Sequence, residues 1–158
     1  MTRVRARGAK ITWFGFEFFV CSLEVSVMRG KPPLPLVHAF VVCREIYEAP
    51  KSKDLALVAP FSGLTLPRYP APLQFSVYAH LTEARGRYAM GLHLEDSDGE
   101  VVWAWDLPNP VEEHDPLLSH RIVLHDIVVE FPRPGRYILS IVANGDELAH
   151  HVLVARLV

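Results

Sequence analysis

Residues 132–157, "PRPGRYILSIVANGDELAHHVLVARL", decide the fold. A proline-glycine corner, Pro134-Gly135, opens onto an alternating run that places Tyr137 just inside it. Asn144-Gly145 then interrupts the run, and a second alternating stretch returns. Asn-Gly supplies the positive φ values that a two-residue hairpin turn requires, so the segment reads as two antiparallel strands.

Working back from this hairpin, the rest of the chain has the same grain. "LVHAFVVCREIYE" (36–48) is rich in β-branched and aromatic residues and stops at Ala49-Pro50. "DLALVAPFSGLTL" (54–66) is broken by Pro60 and Gly63, which mark a bulge or a sheet edge. "LQFSVYAHLTE" (73–83) sends Phe75, Val77, Ala79 and Leu81 one way and polar side chains the other. "RYAMGLHLED" (87–96) repeats that pattern with Tyr88, Met90, Leu92 and Leu94 inward. "DSDG" (96–99) is a turn, "EVVWAWDL" (100–107) returns, and a polar loop, "PNPVEEHDP" (108–116), leads to "HRIVLHDIVVEF" (120–131). Thirteen prolines argue against long helices. No helical period exceeds two turns, and there is no internal repeat. The expectation is an all-β protein: a single antiparallel β-sandwich of about eight strands.

The "PGRY" corner adds detail. A tyrosine just inside a late strand, after such a turn, resembles the tyrosine corner of immunoglobulin-like domains, although their Cys…Trp…Cys core is absent. Tyr137 is therefore expected to be a buried anchor whose hydroxyl bonds to nearby backbone. Together, "VHAFVVCREIYE", "FSGLTLPRYPAPLQFSVYAHLTEARGRYAMGLHLEDSDGE" and "FPRPGRYILSIVANGDELAHHVL" resemble an uncharacterised bacterial family, a domain of unknown function of immunoglobulin-like β-sandwich type. The resemblance covers about residues 36–157. It implies the fold and carries over no catalytic residue.

The 158 residues fit one domain, large enough to need no disulfide or metal. A net charge of −2 and a pI near 6.4 give no basic footprint, so neither nucleic acid nor an anionic membrane is expected as a partner. Cys21 and Cys43 form no CxxC motif, and Cys43, inside an apolar run, reads as a buried free thiol. The N-terminus is basic and then apolar, but Glu17 and Glu24 interrupt it and no small-x-small cleavage site follows. It is read as neither signal nor anchor, which implies a cytoplasmic protein. Residues 1–27 are expected to be peripheral, 28–35 a proline-rich linker and 36–158 the sandwich domain. Met28 stands where a shorter start would fall, so the upstream stretch reads as an over-extended gene start. The alternation in "SLEVSVM" (22–28) implies instead an added edge strand or a self-association element if that stretch is native.

Chemistry-bearing residues are scattered. His114, Asp115, His120, His125 and Asp126 offer metal ligands, but His120 and His125 face opposite sides of a strand. No metal and no cofactor is expected. There is no GxSxG elbow. Glu95, Asp96, Asp98 and Glu100 surround one turn without the oxygen set that calcium needs, and read as a solvated hairpin.

Trp103 and Trp105 share a face and could stack on a sugar. A four-residue loop sets Leu92 opposite Trp103 and Met90 opposite Trp105, which puts both in the core. A three-residue loop turns both outward. The first register gives the more continuous apolar face. In "LPRYPAP" (66–72), Arg68 and Tyr69 are either a stiff exposed presenter or an edge on which Tyr69 packs back. The functional expectation is a non-catalytic module acting on an unidentified protein partner, with homodimerisation through the edge marked by Pro60 and Gly63. A carbohydrate-binding module using Trp103 and Trp105 is the alternative, and a small enzyme or metal protein the third.

Overall fold

A computed structural model describes residues 7–13, 16–22 and 33–158. The chain divides into two compact units, Met1–Lys31 and Pro32–Val158. In the first, β1 (Arg7–Trp13) and β2 (Phe16–Ser22) pair antiparallel, from Arg7 opposite Ser22 to Trp13 opposite Phe16. The alternation expected over 22–28, and most of the 28–35 linker, lie outside the described residues.

The second unit is all-β, with no helix among the described residues. Its strands are β3 (Leu36–Glu48), β4 (Leu55–Pro60), β5 (Gly63–Leu66), β6 (Ala71–Thr82), β7 (Gly86–Tyr88), β8 (Met90–Glu95), β9 (Val101–Asp106), β10 (Val111–Glu113), β11 (His120–Phe131), β12 (Gly135–Ala143) and β13 (Asp146–Leu157). One sheet has the order β11-β6-β3-β4 and is antiparallel throughout. The other has the order β5-β13-β12-β8-β9, antiparallel except where β5 runs parallel to β13. β10 and β7 form a two-stranded ribbon.

Two interruptions raise the strand number above the expected eight, and both have local causes. The stretch 54–66 divides at Pro60–Gly63, where the chain leaves the edge of the four-stranded sheet and joins the edge of the five-stranded one. Between β7 and β8, Ala89 turns both backbone groups to Asn144: its N–H donates to Oδ1 at 2.9 Å and its carbonyl accepts from the Asn144 N–H at 2.8 Å. The short β10 is the third addition.

The inward rows of the two large sheets form one core. Phe75, Val77, Ala79 and Leu81 of β6 are fully buried with Leu92 and Leu94 of β8, Leu139 of β12 and Leu153 of β13. Each large apolar side chain so buried contributes about 1.5–3 kcal/mol. Tyr137 belongs to this core at 1% exposure, its ring edge-on to Phe131 with centroids 5.0 Å apart. Its hydroxyl donates to the Arg133 carbonyl at 2.7 Å. The Arg133 guanidinium in turn bonds Asp96 Oδ2 at 2.8 Å and also reaches Asp98. Asp96 Oδ1 accepts the N–H groups of Asp98 and Glu100 at 2.9 and 3.1 Å. The carboxylates of the 96–99 turn are thus engaged with amides and one arginine. The Glu100 N–H, then those of Asp98 and the Arg133 guanidinium, hold the Asp96 carboxyl below its usual range against the opposing push of burial.

Tyr137→Phe removes the bond to Arg133 and leaves a carbonyl short of a partner. It is expected to lower the unfolding free energy by about 1–2 kcal/mol, read as a lower urea midpoint at unchanged slope. A second expectation concerns acid. A depressed carboxyl pKa stabilises the fold above its unfolded value of about 3.9, and that stabilisation disappears as pH falls through the lower folded value. Asp96→Asn should therefore flatten the loss of stability below about pH 4, measured as urea midpoints across a pH series.

Candidate functional site

β9 closes one side of the five-stranded sheet and β11 one side of the four-stranded sheet. Among the described residues no further strand pairs with either edge, so each leaves a row of backbone donors and acceptors without a ladder partner. Between them lies a cleft of about 500 Å³, lined by Trp103, Trp105 and residues 123–128. That volume falls within the range of small-molecule sites.

The two tryptophans arrive there in a register that neither loop length anticipates. Glu95 pairs with Val101 but Leu94 pairs with Trp103, so Val102 is an extra residue in β9, and Leu92 faces Trp105. A five-residue loop (96–100) and the one-residue bulge each slide the strand by one position relative to the four-residue-loop pairing, two in all, which preserves parity. Both indoles therefore stay on the core side. Because β9 is an edge strand, that side is open: Trp103 packs against the core, whereas Trp105 remains 37% exposed. Gly91 lets β9 lie close, since an added Cβ would stand 3.1 Å from the Trp105 carbonyl and 2.8 Å from Asp106 Oδ1.

The opposite wall is also bulged. In β11, Leu124 pairs with Val77 and Ile127 with Phe75, so three steps on β11 span two on β6. His125 and Asp126 are exposed at this bulge. Asp126 takes a φ of 55° and its Oδ1 accepts from Gln74 Nε2 at 2.7 Å. The bulge was missed in the sequence, yet it left a trace there: the inward positions run Ile122, Leu124 and then Ile127, Val129, Phe131, a break in parity.

Along β9, residues two apart stand about 6.8 Å apart, twice the thickness of an aromatic ring. That spacing leaves room for one flat ring between two aromatic side chains. Imidazole, carboxylate and strand-edge amides across the cleft offer donors and acceptors to the rim of such a ring.

The other expected residues sit elsewhere. Arg68 is exposed, while Tyr69 is half-buried with its hydroxyl donating to the Arg156 carbonyl at 3.1 Å, so it packs back over the sheet edge. Asn144 and Gly145 form the β12–β13 turn with φ of 52° and 85°. The histidines are dispersed: His120 Nε2 lies 2.7 Å from Glu113 Oε2, His150 Nδ1 2.8 Å from Glu147 Oε1, and His151 Nε2 2.9 Å from the Phe61 carbonyl. Among the described residues no group of three His, Cys, Asp or Glu could hold a metal ion. Cys43 is free and buried, and burial pushes its thiol pKa up. No helix of the described residues is long and apolar enough to cross a membrane.

No family model matches the chain, and no curated protein matches it. Among solved structures it is similar to the alkylpurine DNA glycosylase AlkC of Pseudomonas fluorescens, bound to DNA containing an abasic site analog. The identity is 13% and the TM-score 0.44, over 77% of this chain and 30% of that one. At that level the likeness assigns this chain no activity. That neighbour, a DNA-bound glycosylase, stands against the expectation of a module working through protein contacts with nucleic acid excluded, and that expectation is not carried forward. The exclusion rested on the net charge of −2, a sum over the whole chain that is silent on position. Arg121 and His80 are in fact cross-strand partners, with the His38 ring 5.7 Å from that of His80.

The bulge has a testable conformational requirement. At a φ of 55°, Asp126→Gly should leave stability nearly unchanged or offset the lost Gln74 bond. Asp126→Val should cost about 1–2 kcal/mol or more, because a β-branched residue is strained in the left-handed region. Paired urea melts distinguish the two variants.

Proposed function

We propose that the second unit is a ligand-binding β-sandwich of immunoglobulin-like arrangement, and that it takes a planar heteroaromatic ring of the nucleobase class in the β9–β11 cleft. The observation that carries this reading is the pair Trp103 and Trp105 on one face of an edge strand, opposite the His125–Asp126 bulge, in a cleft of about 500 Å³. Indole faces favour a flat π system, and every nucleobase has one. The polar wall favours a ring with donors and acceptors on its rim over a plain hydrocarbon. The tyrosine corner and the core shared by both large sheets support the immunoglobulin-like arrangement. The free thiol of Cys43 supports a cytoplasmic setting, where reducing conditions keep thiols unpaired. The reading assigns a ligand and no reaction.

Tryptophan fluorescence tests it. In a Trp13→Phe background the remaining indoles are the two of the cleft. Adenosine or thymidine should quench them saturably, and Trp105→Ala should weaken binding by about 5- to 100-fold, the range for loss of one base-stacking indole. Quenching that never saturates, or affinity that survives Trp105→Ala, would remove the reading.

A further inference from the structure

A smaller cavity shares one lining residue with the cleft. Val123 lines the cleft and also lines this cavity of about 230 Å³, together with Arg121, Glu48 and Leu55. Arg121 and Val123 are two apart on β11, so the Arg121 side chain is based about 6.8 Å along that strand from a residue of the cleft's β11 wall. Arg121 is exposed, and among the described residues its one partner is the Lys53 carbonyl, which accepts from Nη1 at a long 3.3 Å. The acidic group beside it, Glu48, is engaged by Lys53 Nζ at 3.4 Å. A guanidinium carries five N–H donors in a planar fork that matches phosphate oxygens, and here most of that fork is unused. His80 is its cross-strand neighbour on β6. Among the described residues, then, no carboxylate engages Arg121, a cation in the cavity that shares Val123 with the tryptophan cleft.

We propose that Arg121, with His80 beside it, binds the phosphate of a ligand whose base occupies the tryptophan cleft. The ligand is then a nucleoside phosphate, either free or within a single strand, and not a bare base or nucleoside. This rests on the base-binding reading and narrows it. Charge-assisted hydrogen bonds from arginine to phosphate are short and about twice as strong as neutral ones, so the phosphate should add markedly to the affinity.

The test is a titration of the full chain, in the Trp13→Phe background, with adenosine, adenosine 5′-monophosphate and a short oligodeoxyadenylate. Both phosphate-bearing probes should bind about tenfold tighter than adenosine. Arg121→Ala should abolish that preference and leave the adenosine affinity unchanged, while Arg121→Lys, which keeps the charge and loses the fork, should retain part of it. The mononucleotide binding as tightly as the oligonucleotide supports a free nucleotide, and a clear advantage for the oligonucleotide supports a strand. Equal affinity for adenosine and its monophosphate, or a preference that survives Arg121→Ala, overturns the phosphate site while base binding stands. If none of the three probes quenches saturably, both readings fall.

Discussion

Arg133 is held from two sides, and the position of the cleft depends on it. Its carbonyl accepts the hydroxyl of Tyr137, which is locked in the core, and its guanidinium grips Asp96, which organises the turn between β8 and β9. β11 ends at Phe131, two residues before Arg133, and β9 begins at Val101, just past the turn. One side chain thus joins the last residues of one wall to the first residues of the other. The bond is favourable because Asp96 is 7% exposed: a carboxylate so placed is costly unless amides and a cation satisfy it. At the opposite end, the loop from β9 to β11 is pinned by pairing of Val111 with Tyr88 and by the contact of Glu113 with His120. The N–H groups of Asp115 and then His114, with His120, hold the Glu113 carboxyl below its usual range. Both walls are anchored where they meet the rest of the fold, and between those anchors their edges stay apart.

Open strand edges are usually covered, because unpaired backbone groups invite association. Here each wall carries a bulge, at Val102 in β9 and at His125–Asp126 in β11. A bulge bends its strand, strengthens the local twist and re-aims side chains. Two such features facing each other make poor templates for further strand pairing and good walls for a compact ligand. Trp103 contributes to both roles, since it packs against the core on one side and lines the cleft on the other.

Electrostatics in this molecule is a matter of position more than of total. Sixteen basic and eighteen acidic side chains nearly cancel, which argued against nucleic acid or an anionic membrane as a partner. Several of the acids are spoken for within the fold: Asp96 by Arg133, Glu48 by Lys53, and Glu147 by Ser140 and His150. Arg121 lies outside these pairs, on the strand that forms one wall of the cleft. A net charge describes long-range attraction and solubility, whereas recognition depends on which charges remain unpartnered near a cavity.

Much of the architecture was legible in local pattern. Alternation over 73–83 and 87–96 specified strands and their inward rows, the runs 120–131 and 135–157 read as strands, Asn144-Gly145 specified the hairpin turn, and "PGRY" pointed to a tyrosine with backbone to grip. The β11 bulge was written as a parity break between Leu124 and Ile127. The β9 bulge was not, because Val101 and Val102 are both apolar and either can occupy the extra position without disturbing the pattern. Nor could any local pattern show that 54–66 changes sheets at Pro60–Gly63, that β5 runs parallel to β13, or that β9 and β11 become facing edges. Alternation is a period-two property of a single strand, set by the backbone within a few residues. Which strands become edges, and which edges adjoin, depends on pairings between distant segments, and so the cleft with its two tryptophans, its bulge and its arginine was decided only by the tertiary structure.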